Sequence, residues 1–218
     1  MKSVVLLSGG LDSAVCLAHA VRDGTVVLAL TFDYGQQAAK REIQAAAALA
    51  RHYGVPHRVI YLPFLREITT AALITGEDLP EPEDAALDDP VQAAATARQV
   101  WVPNRNGIFL NIAAAFAEYL DATAVVAGFN REEAASFPDN SAAFVTAVTA
   151  ALRYSTLNRV RVVSYTQHLN KTEIARLGMR LGVPLALVWS CYRGGAAVCG
   201  RCESCRRFSR ALAAAREG

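Results

Sequence analysis

The chain has 218 residues, with 22 Lys and Arg residues against 20 Asp and Glu residues and a formal net charge of +2. Hydrophobic residues make up 53% of the sequence, which is enough for a full core and excludes a disordered chain. The near-neutral balance argues against a protein that binds along a nucleic-acid backbone, but it leaves room for a small anionic ligand. No apolar run reaches the roughly 18 residues of a membrane-spanning helix, so we expect a cytoplasmic protein with no membrane partner.

Strand and helix signals then alternate in chain order. Runs of β-branched residues and leucine predict strands at residues 3–7, 25–31, 57–61, 124–128 and 160–164. Helical periodicity and helix-ending Gly or Pro residues predict helices at residues 11–22, 36–53, 106–120, 141–152, 169–181 and 202–216. Strands joined by helical crossovers predict an α/β fold with a doubly wound, mostly parallel five-stranded sheet.

Two parts of the sequence depart from this alternation. Residues 76–90 read GEDLPEPEDAALDDP, an acidic and proline-rich stretch that predicts a mobile surface loop. Residues 186–218 are dense in Cys, Gly and Arg and end in a helix. We therefore divide the chain into an α/β domain at residues 1–185 and a C-terminal segment at residues 186–218.

The first strand runs directly into a glycine-rich turn, SGGLDS, at residues 8–13. Gly9 and Gly10 allow the backbone to approach an anion, and the N–H groups at a helix start favour a phosphate there. Ser8 and Ser13 add hydroxyl donors. Asp12 fits such a site if Mg²⁺ bridges its carboxylate and the phosphates. The alternative is an ordinary strand-to-helix turn in which Asp12 or Ser13 caps the helix.

Four cysteines lie close together near the end of the chain, at Cys191, Cys199, Cys202 and Cys205. Four thiolates suit a tetrahedral structural Zn²⁺ site, and the same ligands would also suit an iron–sulfur cluster. The fifth cysteine, Cys16, lies among Ala and Val in a predicted helix and reads as a buried small side chain. Arginines surround the cluster; solvated side chains are the expected interpretation, and RNA contact is the alternative.

The SGGLDS turn resembles the pyrophosphate loop of the adenylating ATP-pyrophosphatase (PP-loop) superfamily, whose sheet is of the adenine-nucleotide alpha-hydrolase-like type. Together with WSCY at residues 189–192 and CGRCESC at residues 199–205, it resembles the 7-cyano-7-deazaguanine (preQ0) synthase family. Further similar stretches are DYGQ (33–36), VPHRVI (55–60), WVPNRN (101–106) and LNKTEIARLG (169–178).

This resemblance implies an ATP-dependent ligase that converts 7-carboxy-7-deazaguanine and ammonia to 7-cyano-7-deazaguanine, for queuosine or archaeosine synthesis. ATP, Mg²⁺ and Zn²⁺ are the implied cofactors, and a homodimer is the implied assembly. The chain leaves no room for a glutaminase domain, so we expect free ammonia or ammonia from a separate protein. No nucleic-acid partner is expected.

The site residues follow from the loop and from the similar stretches. Asp12, Ser13, Lys171 and Arg105 are the predicted catalytic residues. The predicted nucleotide and substrate site comprises Leu7, Ser8, Gly9, Gly10, Leu11, Asp12, Ser13, Thr31, Asp33, Tyr34, Asn106, Gly128, Asn130 and Asp139. Some of these residues have a plainer alternative: an exposed lysine at position 171, helix capping at positions 105 and 106, and core packing for Tyr34 and for Phe32 of the same stretch.

One segment departs from the family pattern. Residues 128–140 read GFNREEAASFPDN, which keeps Pro138 and Asp139 but lacks an aromatic pair expected in the family. The departure leaves open a paralogue that acts on another carboxylate. A tRNA-thiolating enzyme of the same superfamily is a second alternative, and a zinc-dependent nucleic-acid-binding module is a third, from outside the enzymes.

Overall fold

The computed structural model describes residues 1–77 and 79–217. Its five strands are β1 (Lys2–Leu6), β2 (Thr25–Asp33), β3 (His57–Tyr61), β4 (Ala124–Val126) and β5 (Arg161–Val163). They form one sheet in the order β3-β2-β1-β4-β5, and every neighbouring pair is parallel. The predicted doubly wound α/β fold is therefore confirmed, with a sheet that is parallel throughout.

Helices cover both faces of this sheet. The α-helices are α1 (Leu11–Asp23), α2 (Ala39–His52), α3 (Phe64–Glu67), α4 (Ala72–Thr75), α5 (Pro90–Val100), α6 (Arg105–Tyr119), α7 (Arg131–Ala134), α8 (Ala142–Ser155), α9 (Lys171–Leu181) and α10 (Glu203–Arg216). Short 3₁₀ turns lie at Asp84–Asp88, Pro138–Asn140 and Leu185–Leu187. None of the described helices combines the length and apolar character needed to cross a membrane.

The two faces of the sheet carry separate cores. Side chains alternate between faces along a strand, so Val5 of β1 joins the core under α1, α2, α9 and α10, while Val4 joins the core under α6 and α8. Ala211 and Ala215 bring α10 into the first of these cores. The division at residue 185 remains a proposal, because the C-terminal helix shares its apolar face with the rest of the chain.

Helix α5 was missed by the periodicity analysis, although its start carries a clear signal. Asp89 caps the helix by accepting hydrogen bonds from the backbone N–H groups of Val91 at 2.8 Å and Gln92 at 3.3 Å, and Pro90 occupies the first helical position. Its alanine-rich sequence gives little apolar contrast between faces, which is why the pattern did not reveal it.

The described part of the acidic segment at residues 76–90 contains a 3₁₀ turn at Asp84–Asp88, and its mobility stays a prediction; Asp78 lies outside the described residues. The segment packs against the C-terminal part of the chain through salt bridges. They pair Glu81 with Arg193 (2.6 Å) and Arg201 (2.9 Å), Asp84 with Arg206 (3.3 Å), and Asp88 with Arg210 (2.7 Å). The tail arginines are thus paired rather than simply solvated. Each segment alone looks like a solvated charge run, because the pairing joins residues more than a hundred positions apart.

Candidate active site

The turn between β1 and α1 leaves the start of α1 open. Gly10 is the N-cap residue, and no side chain caps the helix. Ser13 donates its hydroxyl to the carbonyl of Gly10 at 3.0 Å, and the Ser8 and Ser13 hydroxyls lie 3.1 Å apart. The capping alternative for Asp12 and Ser13 is therefore wrong. The first N–H groups of α1, with two hydroxyls beside them, form a suitable site for a phosphate group.

Gly9 is required by the close approach of α2. Its φ of +85° lies in the region that favours glycine, and an added Cβ would lie 2.8 Å from the Glu42 carbonyl oxygen and 2.9 Å from Ala45 Cβ. The backbone of the loop is held between the sheet and α2 because position 9 has no side chain. Gly9 therefore allows α2 to pack against the turn, in addition to allowing the backbone to approach an anion.

Replacing Gly9 with alanine should lower the free energy of unfolding by roughly 2–5 kcal/mol, because backbone strain and overpacking add together. Gly54→Ala is the matched control, since Gly54 also has a positive φ of +66° but has no atom within 4 Å of an added Cβ. The control should lose only roughly 1–2 kcal/mol. Urea unfolding of both variants measures the difference, and equal losses would show that α2 does not constrain the loop.

Asp12 lies in a buried charged cluster with residues from two other parts of the chain. Lys171, the first residue of α9, places its Nζ 2.6 Å from Asp12 Oδ2 and 2.6 Å from Glu133 Oε1. Asn130 donates its side-chain N–H to Asp12 Oδ2 at 2.8 Å. Although burial alone would lower the pKa of Lys171, the two carboxylates raise it above its ordinary value. Lys171 therefore stays charged, and it is not the exposed lysine of the plainer alternative.

The second carboxylate oxygen of Asp12 has chemistry that suits a divalent cation. Asp12 Oδ1 is buried and accepts no hydrogen bond from the described residues. A buried unpartnered carboxylate oxygen is unfavourable unless it gains a partner. Mg²⁺ prefers oxygen ligands and usually binds through one or two carboxylates together with phosphates. The residues around Asp12 therefore fit a magnesium ion held between this oxygen and a phosphate chain.

A cavity of about 300 Å³ opens beside the glycine-rich turn at the carboxyl ends of the strands. Among the predicted residues, those that line it are Leu7, Ser8, Gly10, Leu11, Asp12, Ser13, Tyr34, Arg105, Asn106, Gly128 and Lys171. Position 128 has no room for a side chain, since an added Cβ would lie 2.8 Å from the backbone nitrogen of Ser13. The structure thus brings residues from positions 7 to 171 to one edge of the sheet, where such a fold binds ligands.

The other predicted residues lie behind or beside this lining. Gly9 and Asn130 support it from behind, through the α2 contact and the bond to Asp12. Thr31 donates its hydroxyl to the Leu7 carbonyl at 2.6 Å inside the sheet. Asp33 accepts a hydrogen bond from the Gly35 backbone at 3.0 Å, and Asp139 accepts one from the Asn140 side chain at 3.4 Å. Their assignment to ligand binding stays a prediction.

Aromatic side chains form the wall of the cavity farther from the turn. Phe32 stacks on Phe109 of α6, with ring centroids 4.1 Å apart and planes 5° from parallel. The Arg105 guanidinium donates to the Tyr34 hydroxyl at 3.1 Å. Phe32 and Tyr34 therefore pack in the core and also line the cavity, and their role in holding a nucleotide stays a prediction. A flat apolar wall of this kind suits a planar heterocyclic ring.

Several lining residues were missed by the sequence analysis. They are Gln36, Glu42, Glu133, Trp189, Glu203 and Arg207. Glu133 lies one helical turn after Asn130, within the polar residues 130–133 that follow β4. This polar run could have indicated Glu133 as a cavity residue. Glu42 lies on the first turn of α2 with no motif around it, and Glu203 is the first residue of α10, within the CGRCESC stretch. The packing of α2 against Gly9 brings Glu42 to the cavity.

The four cysteines converge on one point. Their Sγ atoms all lie within 4.8 Å of one another, and Cys199 Sγ lies 3.9 Å from Cys205 Sγ. Tetrahedral zinc with Zn–S bonds of about 2.3 Å places sulfurs about 3.8 Å apart. These distances fit a single ion better than a cluster of several irons, whose ligands must lie farther apart. Backbone N–H groups of Arg193 and Cys199 donate to Cys191 Sγ at 3.3 and 3.4 Å, which supports a thiolate there.

The cysteine site is joined directly to the glycine-rich turn. The backbone N–H of Trp189 donates to the Gly9 carbonyl at 2.9 Å, and its indole N–H donates to the Cys191 carbonyl at 2.9 Å. Cys191 and Tyr192 also line the cavity. The metal site therefore positions one wall of the cavity. Cys16 is buried elsewhere, as predicted, and burial raises the pKa of its thiol to about 11.

This fold and this turn define an α/β protein with a doubly wound parallel sheet, in which a glycine-rich turn leads into an open helix start beside the cavity. In fold, the chain is similar to a crystal structure of a 4-thiouridine synthetase–RNA complex with bound ATP. The TM-score is 0.51 at 16% identity, over 99% of this chain and 52% of that chain. The likeness supports the fold.

The family model described as "Queuosine biosynthesis protein QueC" matches residues 2–216. Proteins named 7-cyano-7-deazaguanine synthase from Desulforudis audaxviator and Pelotomaculum thermopropionicum are 64% and 63% identical to the chain, over 97% of it and 96% of each of them. A protein of the same name from Bdellovibrio bacteriovorus is 52% identical over 98% of the chain and 94% of its own length. The chain belongs to the QueC family. The predicted family is confirmed, and so is the prediction of an enzyme.

Proposed function

We propose that this chain is an ATP-dependent ligase that converts 7-carboxy-7-deazaguanine and ammonia to 7-cyano-7-deazaguanine (preQ0). Near-full-length relatives with 64% and 63% identity carry the name of that activity. The observation that carries the proposal is the uncapped start of α1 beside the Asp12–Lys171 pair, at the mouth of a cavity with a flat aromatic wall. The open start of α1 suits a triphosphate, and the aromatic wall suits a planar ring.

The reaction requires two activations by ATP. The substrate carboxylate attacks the α-phosphate, pyrophosphate leaves, and an acyl-adenylate forms. Ammonia displaces AMP from the acyl carbon to give the amide. The amide oxygen then attacks the α-phosphate of a second ATP and pyrophosphate leaves. The C–O bond to AMP breaks and both amide N–H protons are lost, which leaves the nitrile. Two ATP molecules therefore yield two AMP and two pyrophosphate molecules for each nitrile.

This chain's own residues act mainly on the leaving pyrophosphate. The free N–H groups of α1 and the Ser8 and Ser13 hydroxyls donate to its oxygens, and such preorganised donors are usually the largest contribution to catalysis. Lys171 orients Asp12 and balances its charge. When bound at Asp12 Oδ1, Mg²⁺ would neutralise charge that builds on the departing phosphates. Arg105 and Asn106 lie at the far side of the cavity, where they can donate to substrate oxygens.

Substrate selection is assigned to the aromatic end of the cavity. Phe129, Phe137 and Asn140 line it, and all three belong to the segment that departs from the family pattern. Asp139 neighbours them and is proposed to accept hydrogen bonds from the N–H donors of the guanine-like face. Its carboxylate lies near the Arg105 guanidinium, but burial raises the pKa of Asp139 above its ordinary value.

Further properties follow from the family rather than from the geometry. We assign zinc to the four-cysteine site, the cytoplasm as the compartment, and a homodimer as the assembly. Queuosine or archaeosine synthesis would consume the product. Ammonia is proposed to come from solution or from a separate protein.

The isolated chain should release two AMP molecules for each 7-cyano-7-deazaguanine formed from 7-carboxy-7-deazaguanine, ATP, Mg²⁺ and ammonium chloride. Chromatography of the nucleotides and of the deazaguanine products measures this ratio. Strict dependence on glutamine would contradict the use of free ammonia. Turnover with a different carboxylate only would indicate a paralogue. Binding of RNA without AMP release would instead support a nucleic-acid-binding module.

A further inference from the structure

Glu42 is a carboxylate in the cavity that the proposed steps do not use. It lies on the first turn of α2, next to the glycine-rich turn, and it lines the cavity. Gln36 donates its side-chain N–H to Glu42 Oε2 at 2.8 Å and is itself anchored to the Phe32 carbonyl at 3.0 Å. This bond holds one oxygen of Glu42 in place, and the other, Oε1, accepts no hydrogen bond from the described residues.

Glu42 differs from the other acidic residues of the cavity. Four carboxylates line it: Asp12, Glu42, Glu133 and Glu203. Lys171 forms salt bridges to Asp12 and Glu133 at 2.6 Å, and Arg207 forms one to Glu203 at 2.9 Å. Glu42 forms no salt bridge with any residue in ranges 1–77 and 79–217. Among the described lining carboxylates, Glu42 is therefore the one with no basic side chain as a salt-bridge partner, and it is available to a cationic ligand apart from the metal proposed at Asp12.

The groups that face Glu42 come from three parts of the chain. Burial raises the pKa of Glu42, the Gln36 amide and the Arg105 guanidinium oppose this rise, and the Asp33 carboxylate adds to it. Tyr34 is the remaining titratable neighbour, and burial raises the pKa of its phenol, so it stays neutral. Such surroundings hold a carboxylate that takes up a proton more readily than an exposed one.

The reaction needs a cation to enter and a proton to leave. Ammonia exists mainly as ammonium at neutral pH, and ammonium has no lone pair with which to attack the acyl-adenylate. Resting on the proposed function, we infer that Glu42 binds ammonium in the cavity and accepts a proton from it, so that ammonia forms beside the activated carbonyl. The site takes small cations of the ammonium class.

The atoms and charges of this step balance. One N–H bond of ammonium breaks, its proton moves to Glu42 Oε1, and its electron pair stays on nitrogen. That pair forms the C–N bond to the acyl carbon while the C–O bond to AMP breaks. The nitrogen then loses its surplus proton to water, and Glu42 returns its own proton to solvent before the next turnover.

Glu42→Gln tests this step, since glutamine keeps the shape and still accepts the bond from Gln36. At pH 7, amide formation from ammonium chloride should fall at least about 100-fold, as expected for loss of a general base. The rate should recover as the pH rises and free ammonia becomes abundant. Pyrophosphate–ATP exchange with 7-carboxy-7-deazaguanine and no ammonium should match the unmodified protein.

Hydroxylamine gives a second readout, because it is already a neutral nucleophile at pH 7. Glu42→Gln should form the hydroxamate at the unmodified rate, and Glu42→Asp should recover part of the ammonium reaction. Glu67→Gln, an exposed carboxylate on α3, is the matched control and should change nothing. Circular dichroism and thermal unfolding of all variants show that the fold is retained.

The outcomes separate this inference from the proposed function. No pyrophosphate exchange by the unmodified protein would overturn the function itself. Exchange that falls together with hydroxamate formation in Glu42→Gln would show that Glu42 binds the deazaguanine or the nucleotide instead. An unchanged ammonium reaction at pH 7, or one lost without recovery at high pH, would equally overturn the inference.

Discussion

Replacing Asp12 with asparagine should lower AMP formation by about 1000-fold, the size expected when a preorganised charge at the reacting phosphates is lost. Asparagine keeps the volume of the side chain but removes the negative charge beside the unpartnered Oδ1 position. Lys171 keeps its second salt bridge, to Glu133 at 2.6 Å, so the cluster stays largely paired. The fold should therefore survive while magnesium–ATP binding and turnover fail.

Steady-state AMP release and calorimetric titration with magnesium–ATP measure these losses. Asp23→Asn is the control, because Asp23 is the last residue of the same helix and lies away from the cavity. It should retain turnover. Asp12→Asn with normal turnover would contradict the role of the glycine-rich turn and its acidic residue in phosphate transfer.

Lys171→Met provides a contrast within the same cluster. It leaves the buried Asp12 carboxylate and the partly exposed Glu133 carboxylate without their cation. Breaking a buried salt bridge typically lowers stability by roughly 3–5 kcal/mol, and the partly exposed Glu133 pair adds little to this. This variant should lose both turnover and stability, whereas Asp12→Asn should lose mainly turnover. The comparison separates the chemical from the structural contribution of the cluster.

Removing one ligand of the cysteine cluster should release the metal and abolish ATP binding together. In Cys202→Ser, three thiolates remain, and structural zinc sites contribute about 10–16 kcal/mol of apparent binding free energy in zinc-finger peptides. The segment around Trp189 would then lose its anchor, and with it the hydrogen bond to the Gly9 carbonyl at 2.9 Å. Loss of the metal should therefore reach the phosphate site.

Elemental analysis of the purified protein and titration with magnesium–ATP measure the two effects. Cys16→Ala is the matched control, since Cys16 is equally buried but lies on α1, outside the cluster. It should keep one metal ion per chain and normal ATP affinity. Full ATP binding by metal-free Cys202→Ser would show that the cysteine site and the glycine-rich turn are independent.

The strands and helices, the glycine-rich turn and the four-cysteine cluster were predictable because the residues that indicate each of them lie close together in the sequence. Strand β1, the glycine-rich turn and α1 follow one another, and Gly9 and Gly10 mark the turn by residue type alone. The four cysteines likewise lie within fifteen residues of sequence. Local signals of this kind need no knowledge of tertiary packing.

Apart from helix α5 and Glu133, which have local signals, the missed features depend on contacts between distant residues. Glu42 becomes a cavity residue only because α2 packs against Gly9, and no pattern in α2 indicates this. The acidic segment at residues 76–90 reads as a solvated loop until its partners on α10 are known. Lys171 was placed correctly at a helix start, but its two carboxylate partners come from α1 and α7.

The hydrogen bond from Trp189 to Gly9 has a consequence for synthesis on the ribosome. The residue that satisfies the carbonyl of the glycine-rich turn is made 180 positions after it. Lys171 and the cysteines also follow the turn in the order of synthesis. A growing chain therefore holds no complete nucleotide pocket until these residues have emerged, so copies that stop before them should not sequester ATP.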